Sequence, residues 1–324
     1  MNLNQKIIKD SAITTGGMSG GGLLNPEQAK QFIQQTFDAT NLGSQVRHVM
    51  RTAKTGEIDK IGINARILRK KIENADDGYR AGVNTDKIEY ATTAVRLPWE
   101  ITEETLRENI EGQNMEKIIT DLMTTQLGID AEDLYLNGDE DIPQKYDTGK
   151  KESDGTTPIM ADTPDYDFLK INDGWIKQIT NDGHVIDKTG SSISLDVFYD
   201  AVQAIPNKYN NGKLAWIMSP HRRQEWERYL LNQMISAGST APDSLFKNPA
   251  SIPVLETSRI GNDTILLTDP KNLIVVNTYG IIIRKTTEGK EAIMQDKRFY
   301  VVHFDYDPII EELDATAIIK GLGK

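Results

Sequence analysis

Glycines close together near the N-terminus are the first candidates for chemistry, because the backbone N–H groups of a glycine-rich loop can hold a phosphate. They are Gly16, Gly17, Gly20, Gly21 and Gly22. The Lys-Ser/Thr pair that completes a phosphate loop is absent, and no strand-like run precedes the glycines. The pattern therefore favours a mobile arm over residues 1–24.

Potential metal ligands are scattered along the chain. Asp139 and Asp141 resemble the start of a calcium loop, but the glycine and terminal glutamate of such a loop are missing at the required spacing. The 4 histidines show no paired spacing that is typical of zinc sites; they are His48, His184, His221 and His303. The chain has no cysteine, so disulfides and thiolate chemistry are excluded. We therefore predict no metal and no cofactor.

Sequence motifs that are typical of enzymes are also absent or weak. No Gly-x-Ser-x-Gly elbow is present, and no Ser/His/Asp grouping can be supported from the sequence. Carboxylates do gather near the C-terminus, at Asp305, Asp307, Glu311, Glu312 and Asp314. Acid–base work would require the fold to set their separation and burial, and acidic runs are usually solvated. We interpret them as a solvated face and predict that the chain is not an enzyme.

Composition narrows the function classes further. The chain has 324 residues and a formal net charge of -11, which argues against tight binding of phosphate backbones. No apolar run approaches the ~20 residues that span a bilayer, and the N-terminus lacks a secretory pattern. These features predict a cytoplasmic chain that does not contact a membrane.

The first half of the chain shows clear element signals. A helix is predicted from Asn25-Pro26 to Gly43, followed by a strand over residues 46–53. A second helical region opens at Thr102, and apolar residues at helical spacing predict the longest helix over residues 114–136. The polar segment 138–165 is predicted to be a loop and the best domain boundary.

The second half predicts a mixed α/β region. Helices are expected over residues 168–176, after Ser194 and after Ser219, and a loop is expected over residues 235–251. The strand-like runs are LAWIM, PVLE, TILLT, NLIVVN, GIIIRK, RFYVVHF and TAIIK. The predicted class is α+β.

Residues 57–97 carry the most informative pattern. Two runs that alternate roughly between apolar and polar residues flank a charged tip, which predicts a long β-hairpin. The outgoing run contains Ile58, Ile61, Ile63 and Ile67, and the returning run contains Ile88, Tyr90, Thr92, Ala94 and Arg96-Leu97. The arms are too polar for a domain core, and open strand edges are a liability for a monomer. The hairpin therefore predicts a chain that is completed by copies of itself.

The tip of this hairpin is strongly charged. Its residues of interest are Arg66, Arg69, Lys70, Lys71, Glu73, Asp76, Asp77 and Arg80. Two interpretations stay open: a solvated face, or an inter-subunit ion-pair network that fixes register.

The order of elements resembles a known family. It comprises an arm, a short helix (NPEQAKQFIQQTF), a hairpin (EIDKIGINARILRK), a long helix (NIEGQNMEKIITDLMTTQLGIDAEDLYLNGD), a mixed domain (DFLKINDGWIKQI) and closing strands (LTDPKNLIVVNTYGIIIRKTTEGK and RFYVVHFDYDPIIEELDATAIIKG). From about residue 17 onward, this order resembles the major capsid proteins of tailed bacteriophages, which have the Hong Kong 97-type fold. The ordered set carries the resemblance, and no single motif decides it.

The resemblance implies names for the parts of the chain. They are an N-terminal arm and short helix (1–45), an E-loop hairpin with flanking strands (46–100), a spine helix of the P domain (101–149), an A domain (150–277), P-domain strands with a P-loop (278–308) and a strand returning to the A domain (309–324). The P-loop would be formed by Thr287, Glu288 and Gly289, and the hairpin tip residues would contact other subunits.

The resemblance also implies a function and partners. Hexamers and pentamers of the chain would close into an icosahedral shell around double-stranded DNA, which would be held without sequence-specific binding. The protein would be assembled in the host cytoplasm and reside in the virion. A portal and a separate scaffolding protein are expected partners, since only a short arm precedes Pro26. Lys60, Lys70, Lys71 and Lys87 are candidates for a family crosslink by location only, and no matching asparagine motif is present.

Two alternatives remain at this stage. An encapsulin, a cellular compartment with a similar fold that encloses cargo enzymes, is one. The other is a hydrolase that uses carboxylates of the mixed domain, although the sequence shows no convergent site.

Overall fold

Two β-sheets of different topology organise the fold, and helices pack against both. The structure is a computed structural model that describes residues 40–62, 66–70, 78–108, 115–151, 158–237, 248–287 and 290–323. Its strands are β1 (Arg47–Met50), β2 (Thr55–Gly62), β3 (Asn84–Ala91), β4 (Thr93–Thr102), β5 (Lys145–Lys151), β6 (Pro158–Asp162), β7 (His184–Asp187), β8 (Ala215–Met218), β9 (Val254–Glu256), β10 (Ile265–Thr268), β11 (Leu273–Thr286), β12 (Lys297–Ile310) and β13 (Ala317–Lys320). Its helices are α1 (Glu103–Glu108), α2 (Met115–Asn137), α3 (Tyr166–Leu169), α4 (Trp175–Asp182), α5 (Leu195–Ala204), α6 (Pro220–Ala237) and α7 (Lys290–Gln295).

The long helix α2 confirms the strongest element prediction. It has 23 residues and begins with Met115 and the acidic Glu116, which suits the positive end of the helix. Ile119, Leu127 and Leu134 lie on its buried face and belong to the larger of the apolar cores. None of the helices in the described ranges has the length and apolarity that a membrane span requires.

Helix α2 ends where two backbone segments come too close for a side chain. A Cβ on Gly138 would lie 2.3 Å from the carbonyl oxygen of Asn172, and one on Gly174 would lie 2.7 Å from that of Leu136. The N–H of Gly174 donates to the carbonyl of Gly138 at 2.8 Å. These glycines therefore fix the end of α2 against the start of α4.

A four-stranded sheet of order β1-β11-β12-β4 packs against α2. Strand β1 is parallel to β11, and the other neighbours are antiparallel. Val275 and Val302 are fully buried on this sheet, as is Ile101. The sheet therefore supplies the rigid platform from which the β2–β3 hairpin leaves.

The second large sheet of the fold has five strands in the order β7-β13-β10-β8-β9. Every side chain of β8 is buried, as the apolar run LAWIM predicts. Phe198 packs edge to face on Trp216 and Trp226, with ring centroids 4.9 Å and 5.0 Å apart. One face of this sheet has its own apolar core, whereas Ile217, Leu266 and Ile318 on the other face belong to the core of α2.

Several sequence predictions need correction. The predicted loop 138–165 contains the strand pair β5–β6, which shows no alternation of apolar and polar residues because neither face is buried among the described residues. The predicted helix over residues 168–176 is two helices, α3 and α4, that are separated before Gly174, where the close backbone approach breaks the pattern. The returning run of the hairpin divides at Thr92, because β4 pairs with β12 rather than with β2.

Other predictions lie partly or wholly outside the described residues. The arm and the helix that begins at Pro26 fall in residues 1–39, and the predicted break at Gly112 falls in residues 109–114. Part of the predicted loop 235–251 is likewise outside, while α6 extends into it as far as Ala237. The predicted strand over residues 46–53 is confirmed as β1.

Candidate assembly interface

The base of the β2–β3 hairpin is packed onto the four-stranded sheet. Ile58 and Tyr90 are each 6% exposed and contact an apolar cluster formed by Ile274, Val276 and Ile309. The interpretation that the arms are too polar to be buried is therefore wrong at the base of the hairpin. One face of the two strands supplies enough apolar surface to fix the direction in which the hairpin leaves the body.

Alternation along the strands explains this packing. Ile58 is directly opposite Ile88 and Gly56 is opposite Tyr90, so the apolar residues share one face. A Cβ on Gly56 would lie 2.7 Å from the Tyr90 hydroxyl, so glycine makes room for the ring. The hydroxyl donates to the carbonyl of Ala53 at 3.3 Å.

Acidic residues of β12 and the turn after it pair with cations of β1, of β2 and of the segment between these strands. We call the set Asp305, Asp307, Glu311 and Glu312 the acidic row. Its ion pairs are Lys54 Nζ with Asp305 Oδ2 at 3.0 Å, Arg47 Nη1 with Glu311 Oε2 at 3.0 Å, and Lys60 with Glu312. The solvated-face interpretation is therefore wrong for Asp305 and Asp307, which the fold buries in whole or in part, whereas Glu311 and Glu312 are half-buried and Asp314 is exposed.

Asp307 is the member of the acidic row whose pKa is raised by its surroundings. Its Oδ2 accepts the backbone N–H of Ala91 at 2.8 Å, at the last residue of β3. Burial raises the pKa of Asp307 from 3.8 to about 6, against the opposing effect of the Ala91 hydrogen bond. The nearby charge of Glu140 adds to the upward shift of the Asp307 pKa. The hydrogen bond at the end of β3 therefore depends on the protonation state of Asp307.

The outer part of the hairpin has a different character. Ile61 is 70% exposed, Leu68 is 92% exposed and Val83 is 62% exposed. Exposed apolar side chains that form a common patch can mark an interaction site. The hairpin is thus packed on its own subunit near its base and exposes apolar side chains in its outer part.

The predicted charged residues of the tip fall into two groups. Arg66, Arg69, Lys70 and Arg80 are all exposed. The guanidinium of Arg69 lies 4.5 Å from the ring centroid of Tyr79, and Arg80 Nη1 donates to the Tyr79 carbonyl at 2.8 Å. The remaining residues, Lys71, Glu73, Asp76 and Asp77, lie outside the described residues. Inter-subunit contact by any of these residues stays a prediction.

The predicted P-loop is only partly described. Thr287 follows β11 and is exposed, whereas Glu288 and Gly289 are outside the described residues. The short helix α7 comes next and exposes Ile293 (72%) and Met294 (78%). Sequence reasoning missed α7, although its segment KEAIMQ is composed of good helix formers.

A buried charge cluster lies at the base of this P-loop segment. Glu116 of α2 is 1% exposed and accepts hydrogen bonds from the Tyr300 hydroxyl at 2.5 Å, from Arg298 Nη1 at 2.9 Å and from Lys285. Arg298 also pairs with Glu103 through two hydrogen bonds. Burial, followed by the Glu116 hydrogen bond, raises the pKa of Tyr300, so the hydroxyl stays protonated and donates. The cluster ties α1, α2, β11 and β12 together.

The sites that the sequence raised for metals are not brought together. Across the ranges that the structure describes, no group of three or more His, Asp or Glu side chains could hold a metal ion. Lys177 Nζ lies 2.7 Å from Asp139 Oδ1 and 3.3 Å from Asp141 Oδ2, so the suspected calcium residues form an ion pair.

Comparison with known proteins gives one full-length relative in sequence. No family model matches the chain. YqbE of Bacillus subtilis (strain 168), which is described as a putative prophage capsid protein, is 26% identical over 332 residues, which cover 98% of each chain.

Solved structures agree with this relative in fold. A chain of the satellite phage P4 procapsid, solved with its size determination (Sid) protein, has a TM-score of 0.62 at 13% identity, over 91% of this chain and 99% of that one. The SrpI encapsulin of Synechococcus elongatus PCC 7942 has a TM-score of 0.51 at 10% identity, over 99% and 95% of the two chains. The chain has the Hong Kong 97-type capsid fold. The sequence relative and the fold of the solved neighbours together support a phage shell protein.

The capsid fold confirms two predictions and leaves others open. The relatives are structural shell proteins, so the prediction that the chain is not an enzyme is confirmed, and so is the α+β capsid class. The segment predicted to be the E-loop contains the β2–β3 hairpin, and the segment predicted to contain the spine helix contains α2. The domain limits at residues 45, 100, 149, 277 and 308 stay predictions.

Proposed function

We propose that the chain is the major capsid protein of a tailed phage. Hexamers and pentamers of it close into an icosahedral shell around double-stranded DNA, and the E-loop tip of each copy lies on another copy. A portal and a separate scaffolding protein are the proposed partners during assembly in the host cytoplasm. The observation that carries the proposal is the E-loop itself, which is anchored on its own subunit and exposes Leu68 at its tip.

The anchoring and the exposure support assembly in different ways. A hairpin whose direction is already fixed loses less conformational entropy when it docks, so the contact needs fewer interactions to be stable. Burying an exposed leucine contributes about 1.5–3 kcal/mol per contact. A closed shell repeats the contact in every copy, and linked weak contacts give strong overall association.

The charge of the chain suits a container for DNA. A net charge of -11 keeps the average surface from binding phosphates tightly, which permits packaging and release without specific binding. The basic residues at the E-loop tip are then available for contacts with acidic surfaces of other copies. The described basic residues of the tip are Arg66, Arg69, Lys70 and Arg80.

A second candidate function is an encapsulin-like compartment, and the similarity in fold to the SrpI encapsulin favours it. The full-length sequence relative is described as a putative prophage capsid protein, which supports the phage assignment instead. Nuclease-protected DNA and the protein content of particles from the native source, the latter by mass spectrometry, distinguish the two. Packaged DNA supports the phage head, and a stoichiometric cargo enzyme without DNA supports the compartment.

Charge reversal at the tip tests the role of the E-loop. The double variant Arg66→Glu and Arg69→Glu is expected to lower the assembled fraction at least tenfold in sedimentation velocity. The subunit itself should stay folded, because the stacking of Arg69 on Tyr79 contributes only about 0.5–1 kcal/mol at an exposed site.

Two further variants make this test specific. Leu68→Ser removes the apolar contact without changing charge and should also reduce assembly. The matched double reversal Lys213→Glu and Arg228→Glu changes two exposed residues far from the tip in sequence and should assemble normally. Normal shell yield from both tip variants would show that the E-loop tip is not an assembly contact.

A further inference from the structure

The β5–β6 strand pair lacks what an isolated hairpin needs for stability. Within the part of the chain that the structure describes, the two strands pair only with each other, and neither strand contains a buried side chain. Two strands alone are marginally stable in water unless a further strand or a packed face supports them. The pair nevertheless carries exposed apolar side chains: Tyr146 (45%), Ile159 (39%) and Met160 (49%).

The two edges of this pair differ in chemistry. Strand β5 carries exposed lysines at Lys145, Lys150 and Lys151, and edge lysines oppose pairing with another strand. Strand β6 has the sequence PIMAD, with no lysine, and its one charged residue, Asp162, lies 3.9 Å from Lys145 of its own hairpin. The edge of β6 is therefore the unprotected one.

The sequence of β6 is also complementary to itself. An antiparallel pairing of two copies centred on Met160 puts Ile159 opposite Ala161 and Pro158 opposite Asp162, so apolar residues meet and like charges do not. The same pairing of β5 centred on Thr148 would set Lys145 opposite Lys151, which is repulsive. Pro158 is the first residue of β6, so the four residues after it keep their backbone donors.

We infer that β6 pairs antiparallel with β6 of a second copy of this chain, with Met160 opposite Met160. The two hairpins then form one four-stranded sheet across a local two-fold axis, an interface in which both copies use the same surface. The inference rests on the proposed function in one respect, since copies must meet in a shell for the contact to form. It adds an interface that is separate from the E-loop.

The cysteine-free chain allows a direct test by crosslinking. In an antiparallel pair, opposite Cα atoms are about 4.5–5.5 Å apart, which lies within the range of about 4.4–6.8 Å that a disulfide bridges. The Met160→Cys variant, assembled into shells and treated with a mild oxidant, should yield disulfide-linked dimers on a non-reducing gel. The Lys213→Cys variant, exposed before β8, should stay monomeric under the same treatment.

A second variant tests the contribution of the contact to assembly. Met160→Lys protects the β6 edge and should lower shell yield at least tenfold while leaving the far-UV circular dichroism and melting temperature of the subunit unchanged. The matched control Gln144→Lys adds the same charge just before β5 and should assemble as the wild type does.

The outcomes separate this inference from the proposed function. Shells of the Met160→Cys variant that give no disulfide-linked dimer, together with normal assembly of Met160→Lys, would overturn the β6 pairing and leave the shell function intact. Protection of the introduced thiol from alkylation without dimer formation would also overturn it, because a different part of another copy would then cover β6. Failure of the wild-type chain to form any particle would contradict the proposed function instead.

Discussion

Replacing Asp307 by asparagine should make the isolated subunit more stable at neutral pH. Asp307 is partly buried beneath the E-loop, and its Oδ2 accepts the N–H of Ala91 at 2.8 Å. Burial raises the pKa of this carboxyl from 3.8 to about 6, so the ionised form is unfavourable in the folded chain. Asparagine keeps the shape and an oxygen acceptor for Ala91 while removing the buried charge.

The direction and the size of the expected stability change follow from the pKa values of Asp307 in the unfolded and the folded chain. Well below pH 3.8 the carboxyl of Asp307 is protonated in both the folded and the unfolded chain, so it does not change the unfolding free energy. Between 3.8 and about 6 the unfolded chain releases the proton and the folded chain keeps it, so the stability contribution of Asp307 falls as pH rises. Above about pH 6 the cost is constant at ~3 kcal/mol, since one pKa unit corresponds to about 1.4 kcal/mol. Because a neutral acceptor binds Ala91 less strongly, we expect a net gain of ~1–3 kcal/mol for Asp307→Asn at pH 7.

Urea denaturation of unassembled subunit at pH 4 and pH 7 measures this effect. The difference in unfolding free energy between variant and wild type should be larger at pH 7 than at pH 4, with the variant more stable. Glu89→Gln, an exposed change on β3, should differ from the wild type by less than ~0.5 kcal/mol at either pH. A variant that is less stable than the wild type at pH 7 would refute the reasoning, because the ionised hydrogen bond to Ala91 would then outweigh the cost of burial.

The remaining predictions concern the body of the subunit. Glu116→Gln should lower the unfolding free energy by ~1.5–3 kcal/mol, because the hydrogen bonds from Arg298 and Lys285 lose their charged acceptor. The matched control Glu57→Gln changes an exposed ion pair on the hairpin and should alter the unfolding free energy by less than ~1 kcal/mol. Gly138→Ala should cost ~1–3 kcal/mol, since its Cβ would meet the Asn172 carbonyl at 2.3 Å and the backbone would have to shift. Gly82→Ala has open space around it and is the neutral control. Chemical denaturation measures all four, and equal effects of a variant and its control would contradict the structural reason given for that pair.

Periodicity explains which elements could be predicted from the sequence. Helix α2 and the β2–β3 hairpin have one buried face, so their apolar residues repeat at helical or strand spacing. The β5–β6 pair has no buried face among its described residues, and its sequence carries no such repeat. The sequence predicts one helix in place of α3 and α4, because the break near Gly174 depends on contact with the backbone of Leu136 and Gly138.

The anchoring of the E-loop could not be predicted for a related reason. Lys54 and Asp305 are far apart in the sequence, and only the pairing of β12 with β4 and β11 brings the acidic row beneath the hairpin. A run of carboxylates looks the same in sequence whether it is solvated or paired. The exposure of Arg66, Arg69 and Lys70 follows from local polarity, whereas the exposure of Leu68 could not be predicted from its charged surroundings.

Cryo-electron microscopy of particles formed by the purified chain tests the central claim most directly. The account predicts closed shells in which the β2–β3 hairpin leaves its own four-stranded sheet and brings Leu68 within about 4.5 Å of another copy, the distance of an apolar contact. A chain that remains monomeric under assembly conditions, or shells in which the hairpin tip contacts only its own subunit, would contradict it.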